Sequence, residues 1–520
     1  MCLPTKIGQE LFCRTMPRQM SLSDVYGGWI MKLKTLINEH KIKLLFLNIL
    51  ALFPLICFIL PHYSVVSYEI ERDYIKHIDD FLGSMRYFGA LIIKLWTSLF
   101  DPITDPRIDI IVYIVLTALI TTAFSIFLLR KLEAEDKWSL TIINTSVILS
   151  VANVWINDIL TFPECIFLLS IGNILCFSSI MVYYEKKIKA AVRYPAAGLL
   201  LICATAVYQQ YLVVFIIYAV LISGSEVVGN ADCSKKKAVL TYVRLIVFGI
   251  VSELIYFEVG KWIQTVLGVK PNSRIAFSLD TITQNIQYFL THQHSFLKGR
   301  GFFNTEELTL SYALVALVWL VALVLFVRKN KAFFQCALYV LSCSTAYCSS
   351  YFMGLISTSR GTRTMFGLFS VFALFSVGTV RLLNKRVIKC ILSIVLVLLY
   401  GLNMIKTVEM SVNQYQTNSV DIANAKIYVN EIEKYEARNN ITVSRVLFCK
   451  DANSDMGINS ALCYADSVGS VLYFVSGRNF QVSEMSENQY RQSFSSHDWK
   501  QCDPTEQMVF DQDTVYICVY

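Results

Sequence analysis

The chain reads as an all-α polytopic membrane protein with about eleven transmembrane helices and a small C-terminal α/β extracytoplasmic domain. Three observations give that reading. Hydrophobic residues fill 55% of the 520 positions and charged residues only 16%, with a mean hydropathy of +0.50, too apolar for a soluble chain of this length. Apolar runs near the ~20 residues a bilayer requires recur up to Leu402. Lys and Arg cluster between alternate runs, as the positive-inside rule requires, and this explains the net charge of +7 without invoking nucleic acid.

Residues 1–43 carry Arg14, Arg18, Lys32, Lys34, Lys41 and Lys43, a cytoplasmic signature. The first apolar run, 44–60, lacks a small-residue cleavage site and reads as a retained anchor opening a membrane domain over 44–405. Residues 61–107 form the first outer loop; the apolar stretch 88–100 within it is too short to span and holds Lys94, so it reads as a helix on the outer surface. The span 108–129 returns to Arg130, Lys131 and Lys137. Residues 140–154 lead out to an acidic turn with Asp158 and Glu164, and 165–183 return to Lys186, Lys187, Lys189 and Arg193. A short pair, 196–207 and 212–222, meets at Tyr208, Gln209 and Gln210.

Residues 245–257 lead into a long outer loop, 258–307, where Leu279, Ile282, Ile286, Phe289 and Leu290 repeat at helical spacing, the mark of an amphipathic helix on the membrane. Glu253 is an acid inside this span, expensive in a bilayer and either functional or hydrogen-bonded near the outer end. Spans at 310–327, 333–352, 365–380 and 387–402 complete the bundle, with Arg360 and Arg363 in an outer loop. The remainder, 406–520, has soluble composition: Ala425, Tyr428, Val429, Ile432 and Tyr435 mark a helix face, and 443–448, 471–475 and 514–519 read as strands. Cysteines within the spans read as packing residues. Cys449, Cys463, Cys502 and Cys518 match no metal-site spacing and can pair as disulfides if this domain lies outside, in an order the sequence leaves open. His292 and His294 read as exposed loop residues, and no metal or cofactor is expected.

The acids and arginines on the outer face admit one chemistry. Sugar transfer from a lipid phosphate requires a carboxylate to take the proton of the incoming hydroxyl, cations on the departing phosphate and an apolar groove for the lipid. Asp79 or Asp80 can supply the first and Arg86, Arg360 and Arg363 the second, since guanidinium forks match phosphate oxygens. The competing reading, of about equal weight for any single residue, is a solvated loop charge.

Ile78-Asp79-Asp80, followed by Arg86-Tyr87-Phe88-Gly89 and the run Leu91 to Leu95, resembles the first outer loop of the bacterial glucosyltransferase II family, the serotype-converting O-antigen glucosyltransferases. The turn from Asn153 to Glu164, the pair Tyr208-Gln209 and the late outer Arg360 and Arg363 follow in the family's order, and the likeness covers roughly 44–402. Met85 stands where the family has glycine, and the gap from the acids to Arg86 is shorter. The resemblance implies a GT-C type fold, a polyprenyl-phosphate sugar donor, usually glucose, and a glycan acceptor such as O-antigen at the outer face of the bacterial cytoplasmic membrane. It places Asp158, Glu164, Tyr208 and Gln209 at the sugar and acceptor site. A polyprenyl-phosphate glucosyltransferase and a small flippase are the implied companions. A surface-polysaccharide polymerase is the nearest alternative. A transporter or flippase ranks lower, because its charges belong near the bilayer midplane in two repeated halves, and no repeat is present.

Overall fold

The computed structural model describes residues 39–59, 74–100, 107–132, 134, 136–229, 235–272, 278–292, 306–330, 333–357, 367–380, 382–383, 385–451, 460–463, 465–497 and 504–519. It is mostly helical, with a small sheet near the C-terminus. The membrane region comprises α1 (Glu39–Leu52), running into a 3-10 turn Phe53–Ile59; α2 (Tyr74–Gly83); α3 (Tyr87–Thr97); α4 (Arg107–Lys131); α5 (Lys137–Val151); α6 (Pro163–Tyr184); α7 (Ala190–Val207); α8 (Gln210–Gly229); and α9 (Lys235–Leu267). Then follow α10 (Leu279–Thr291), α11 (Glu306–Asn330), α12 (Phe333–Ser349), α13 (Gly367–Thr379) and α14 (Arg386–Asn439). A helix occupies each of the expected spans, and among the described residues six helices are long and apolar enough to cross a membrane.

The α7–α8 pair differs from its short sequence reading. α7 starts at Ala190, six residues before the expected 196, and carries Pro195 inside it, although proline removes a helical donor. α8 extends to Gly229 and is the central helix, nearly all of its span buried. It packs on α6 and α7 on one side and on α12 and α13 on the other. α9 lies outermost and turns residues such as Val243, Ile246, Val247 and Ile250 outward.

Several polar side chains inside the bundle pair with one another, which lowers the cost of holding them in a low-dielectric interior. Asn48 on α1 donates to Thr122 (2.8 Å) on α4 and exchanges hydrogen bonds with Asn144 on α5. At one end of the bundle Lys131 pairs with Glu226 at 2.6 Å, and Lys389 reaches Asp136, the N-cap of α5, at 2.7 Å. Burial pushes the Asp136 carboxyl up, but hydrogen bonds from Lys389 and Ser139 outweigh it and hold the group at about 2. The opposite end carries α2, α3, the Tyr208–Gln209 junction and the turn Val154–Thr161, whose Asn157 donates to Thr407 on α14 at 2.9 Å.

α14 runs 54 residues without a break, roughly 80 Å at 1.5 Å per residue, so no linker separates the bundle from the C-terminal domain. It ends at Asn440, a left-handed cap. The domain then contains β1 (Arg445–Lys450), α15 (Ala465–Ser476), β2 (Gln481–Glu484), α16 (Glu487–Phe494), β3 (Met508–Asp511) and β4 (Thr514–Val519). The strand order is β2-β1-β4-β3, with β1 parallel to both neighbours and β3 antiparallel to β4. Ala425, Tyr428, Val429 and Ile432 of α14 form the core with Val446, Phe448, Val515 and Ile517. The strand expected at 471–475 is instead part of α15: Val468, Val471, Leu472 and Val475 face the core at a helical period, which outweighs their β-branched composition.

Helices α6 and α8 touch at Gly172, where an added Cβ would lie 2.0 Å from the Tyr211 ring. Tyr211 is fixed there, its hydroxyl donating to the Leu169 carbonyl at 2.8 Å. Gly172→Ala should lower stability by about 2 kcal/mol through this overlap, whereas Gly249→Ala, with nothing within 4 Å, should leave it unchanged or raise it by up to ~1 kcal/mol. Thermal unfolding of the two variants in detergent checks the contrast.

Candidate functional site

The site is built around the turn that joins α2 to α3. Arg86 N–H donates to the Phe81 carbonyl (2.8 Å) and Met85 N–H to that of Leu82 (2.9 Å), the bonding pattern of a Schellman cap. Met85 occupies its left-handed position, φ +59°, where glycine is usual because a Cβ is strained there by roughly 1 kcal/mol. The Met85 side chain lies over Gly260 of α9, whose added Cβ would meet it at 3.4 Å.

Two carboxamides and one backbone N–H hold this turn from three directions. Gln264 of α9 donates to the carbonyls of Leu82 and Gly83 at 2.8 and 3.0 Å. Gln209, between α7 and α8, donates to the Ser84 carbonyl at 2.6 Å and to the Tyr256 hydroxyl at 3.2 Å. The Asn272 backbone N–H donates to Gly83 at 2.9 Å. Gly83 has no room for a side chain, since a Cβ would lie 2.9 Å from the Lys270 carbonyl oxygen.

The turn presents Arg86. Among the described residues its one side-chain hydrogen bond runs from Nε to Gln209 Oε1, at 3.2 Å. The guanidinium lies 4.6 Å from the Tyr208 ring centroid and 5.7 Å from that of Phe81. A half-buried guanidinium oriented by Nε and two rings, with both terminal nitrogens left over, is arranged to receive an oxyanion through its fork. Beneath it Tyr87 stacks on Tyr256, centroids 5.9 Å apart. Glu253 is half-buried one turn below Tyr256 and acts electrostatically on both phenols.

Arg86, Tyr208 and Gln209 are therefore one constellation. Asp79 and Asp80 sit one turn before the cap, on the exposed face of α2. Asp158 opens the 3-10 turn Asp158–Thr161 and Glu164 lies in the first turn of α6; their side chains fall outside what the structure describes, as do Arg360, Arg363 and His294. Among the described residues no group of three or more His, Cys, Asp or Glu is placed to hold a metal. His292 is exposed and interacts with the Tyr288 carbonyl.

Sequence reasoning missed Tyr256 and Gln264, although with Gly260 they recur every four residues along one stripe of α9, a small-and-polar face on an otherwise apolar helix. It also missed Asp109, fully buried in the first turn of α4, which accepts from the Trp96 indole of α3. Trp96 stacks on Phe167 of α6 at 3.7 Å, so α3 lies across the ends of α6, α7 and α4.

His77 of α2 is half-buried, with its Nε2 buried and unpartnered among the described residues. Burial lowers its pKa to about 4, although Asp80 partly opposes the shift. The sign follows directly: the unfolded chain takes up a proton near pH 6.5 and the folded chain only near 4, so stability falls as pH drops between those values. The full loss is on the order of 3 kcal/mol. His77→Gln should flatten the melting temperature between pH 6.5 and 4, and an unchanged slope would show that another group titrates.

No family model matches the chain, nor does any curated protein or solved structure.

Proposed function

We propose that this chain is an integral-membrane glycosyltransferase that moves a sugar, glucose by resemblance, from a polyprenyl-phosphate carrier to a surface glycan such as O-antigen, at the outer face of a bacterial cytoplasmic membrane. The observation that carries the reading is Arg86: its Nε is occupied by Gln209, its plane is held by Tyr208 and Phe81, and its fork is open to an anion. A lipid phosphate fits this fork, because guanidinium matches phosphate oxygens in pairs and the residue lies at the rim of an apolar bundle. The left-handed backbone at Met85 adds support, because that is the conformation a glycine before the arginine would serve.

In this reading an acceptor hydroxyl attacks the anomeric carbon while Asp79 or Asp80 takes its proton. The carbon–oxygen bond to phosphate breaks with its electron pair on the phosphate. Arg86, with Arg360 and Arg363, stabilises the polyprenyl phosphate that departs. Asp158 and Glu164 contact the sugar. Tyr208 and Gln209 act by holding Arg86. Glucose supply and donor flipping fall to a polyprenyl-phosphate glucosyltransferase and a small flippase.

Transfer from polyprenyl-phosphate glucose in isolated membranes tests the assignment. Arg86→Gln should lower turnover by ~10²–10³-fold, and Arg86→Lys should recover only part, since a point charge replaces a fork. The double variant Asp79→Asn, Asp80→Asn should abolish transfer with membrane insertion intact. Full activity in that variant would remove the base from α2. Deleting the gene should leave surface-polymer length unchanged; single repeat units would favour the polymerase.

A further inference from the structure

The C-terminal sheet sets two cysteines side by side. Cys449 and Cys518 are register partners on the parallel strands β1 and β4, and the neighbouring Cys518 thiol pulls the Cys449 thiol below its ordinary pKa. Directly paired residues of neighbouring strands project to the same face of a sheet. The strands lie about 4.8 Å apart, inside the window of about 4.4–6.8 Å between Cα atoms that a disulfide spans. Val446, Phe448, Ile517 and Val519 face the α14–α15 core, so by alternation this pair lies on the opposite face, where α16 packs against β4. Cys518 is fully buried and Cys449 half-buried, leaving one of the two within reach of a reagent. Cys463 instead lies near Lys450 and Asp421.

We propose that Cys449 and Cys518 are a modification site that oxidises to a disulfide, fastening β4 to β1; this rests on the extracytoplasmic placement of the domain. The oxidant is a protein disulfide of an oxidising compartment. The Cys449 thiolate attacks one sulfur of that disulfide, giving a mixed disulfide and one free thiol on the oxidant. Cys518 Sγ, losing its proton, then attacks Cys449 Sγ and displaces the second. The domain gives up two electrons and two protons, and the oxidant leaves as a dithiol.

The full-length protein is extracted from native membranes, quenched with acid and N-ethylmaleimide, and digested without reductant for mass spectrometry. The expected product is a peptide cross-linked through Cys449 and Cys518, with Cys463 alkylated. Both thiols alkylated, or either joined to Cys463 or Cys502, would overturn the proposal. In parallel, intact spheroplasts are treated with a membrane-impermeant amine reagent directed at the exposed Lys434. Labelled Lys434 with free thiols sinks the disulfide alone; Lys434 labelled only after lysis, with free thiols, sinks the outward placement and the disulfide with it. Reductant should lower the melting transition of the native protein by roughly 10 °C and leave the double variant Cys449→Ser, Cys518→Ser unmoved.

Discussion

Carboxamide side chains that donate to backbone carbonyls away from water fix how the elements of this chain meet. Gln264 caps two carbonyls at the end of α2 and Gln209 the next one. Asn285 of α10 donates to the carbonyls of Gly354, Leu355 and Ser357 at 3.1, 2.9 and 3.0 Å, docking that helix onto the turn after α12. Each bond contributes only about 1 kcal/mol net, but a buried carbonyl left without a donor costs up to ~3 kcal/mol. The amides therefore select one arrangement among many that bury equal apolar area, because lipid and protein interior are nearly alike to an apolar side chain.

That division explains what the sequence made legible. Apolar runs of bilayer length and basic clusters at alternate ends mark helices by composition alone, and helices lie at each expected position. Their limits were less legible wherever one residue has two meanings. α7 begins six residues ahead of the expected 196 and carries Pro195 inside it, and the apolar, aromatic run at 471–475 reads as a strand until its period is set against the sheet it covers. The exposed faces of α10 show the same ambiguity: Leu279 is 83% and Leu290 72% exposed, while Phe289 is 4% exposed and packs under Gly354.

At the candidate site, residue identity was legible and geometry was not. Arg86, Tyr208 and Gln209 stand out as types, but 123 positions separate Arg86 from Gln209, and no local pattern joins a loop arginine to the junction of two distant helices. The gap from the acids to Arg86 is shorter than in the family that the loop resembles. The fold accounts for that spacing: α2 ends in a Schellman cap, so Arg86 becomes the residue after a left-handed position rather than the tip of a longer loop.

The continuity of α14 bears on how the C-terminal domain relates to this end of the bundle. Thr407 meets Asn157 at the turn between α5 and α6. Asp421, fourteen residues and roughly 21 Å further along the helix, accepts from Ser460 Oγ and the Ala461 N–H. Glu436, a further fifteen residues on, accepts from the Val443 N–H and pairs with Arg478 at 2.7 Å. The chain entering β1 is thus tied to the far part of the helix and the chain after β1 to the near part, so β1 runs back toward the bundle. Its parallel neighbours β2 and β4 must point the same way. The carboxyl ends of all three, with Lys450 and Asp451 on β1's side, consequently face the end of the bundle that holds Arg86. Because one unbroken helix sets the separation, that orientation follows from hydrogen-bond register along α14 and requires no contact between the sheet and the membrane.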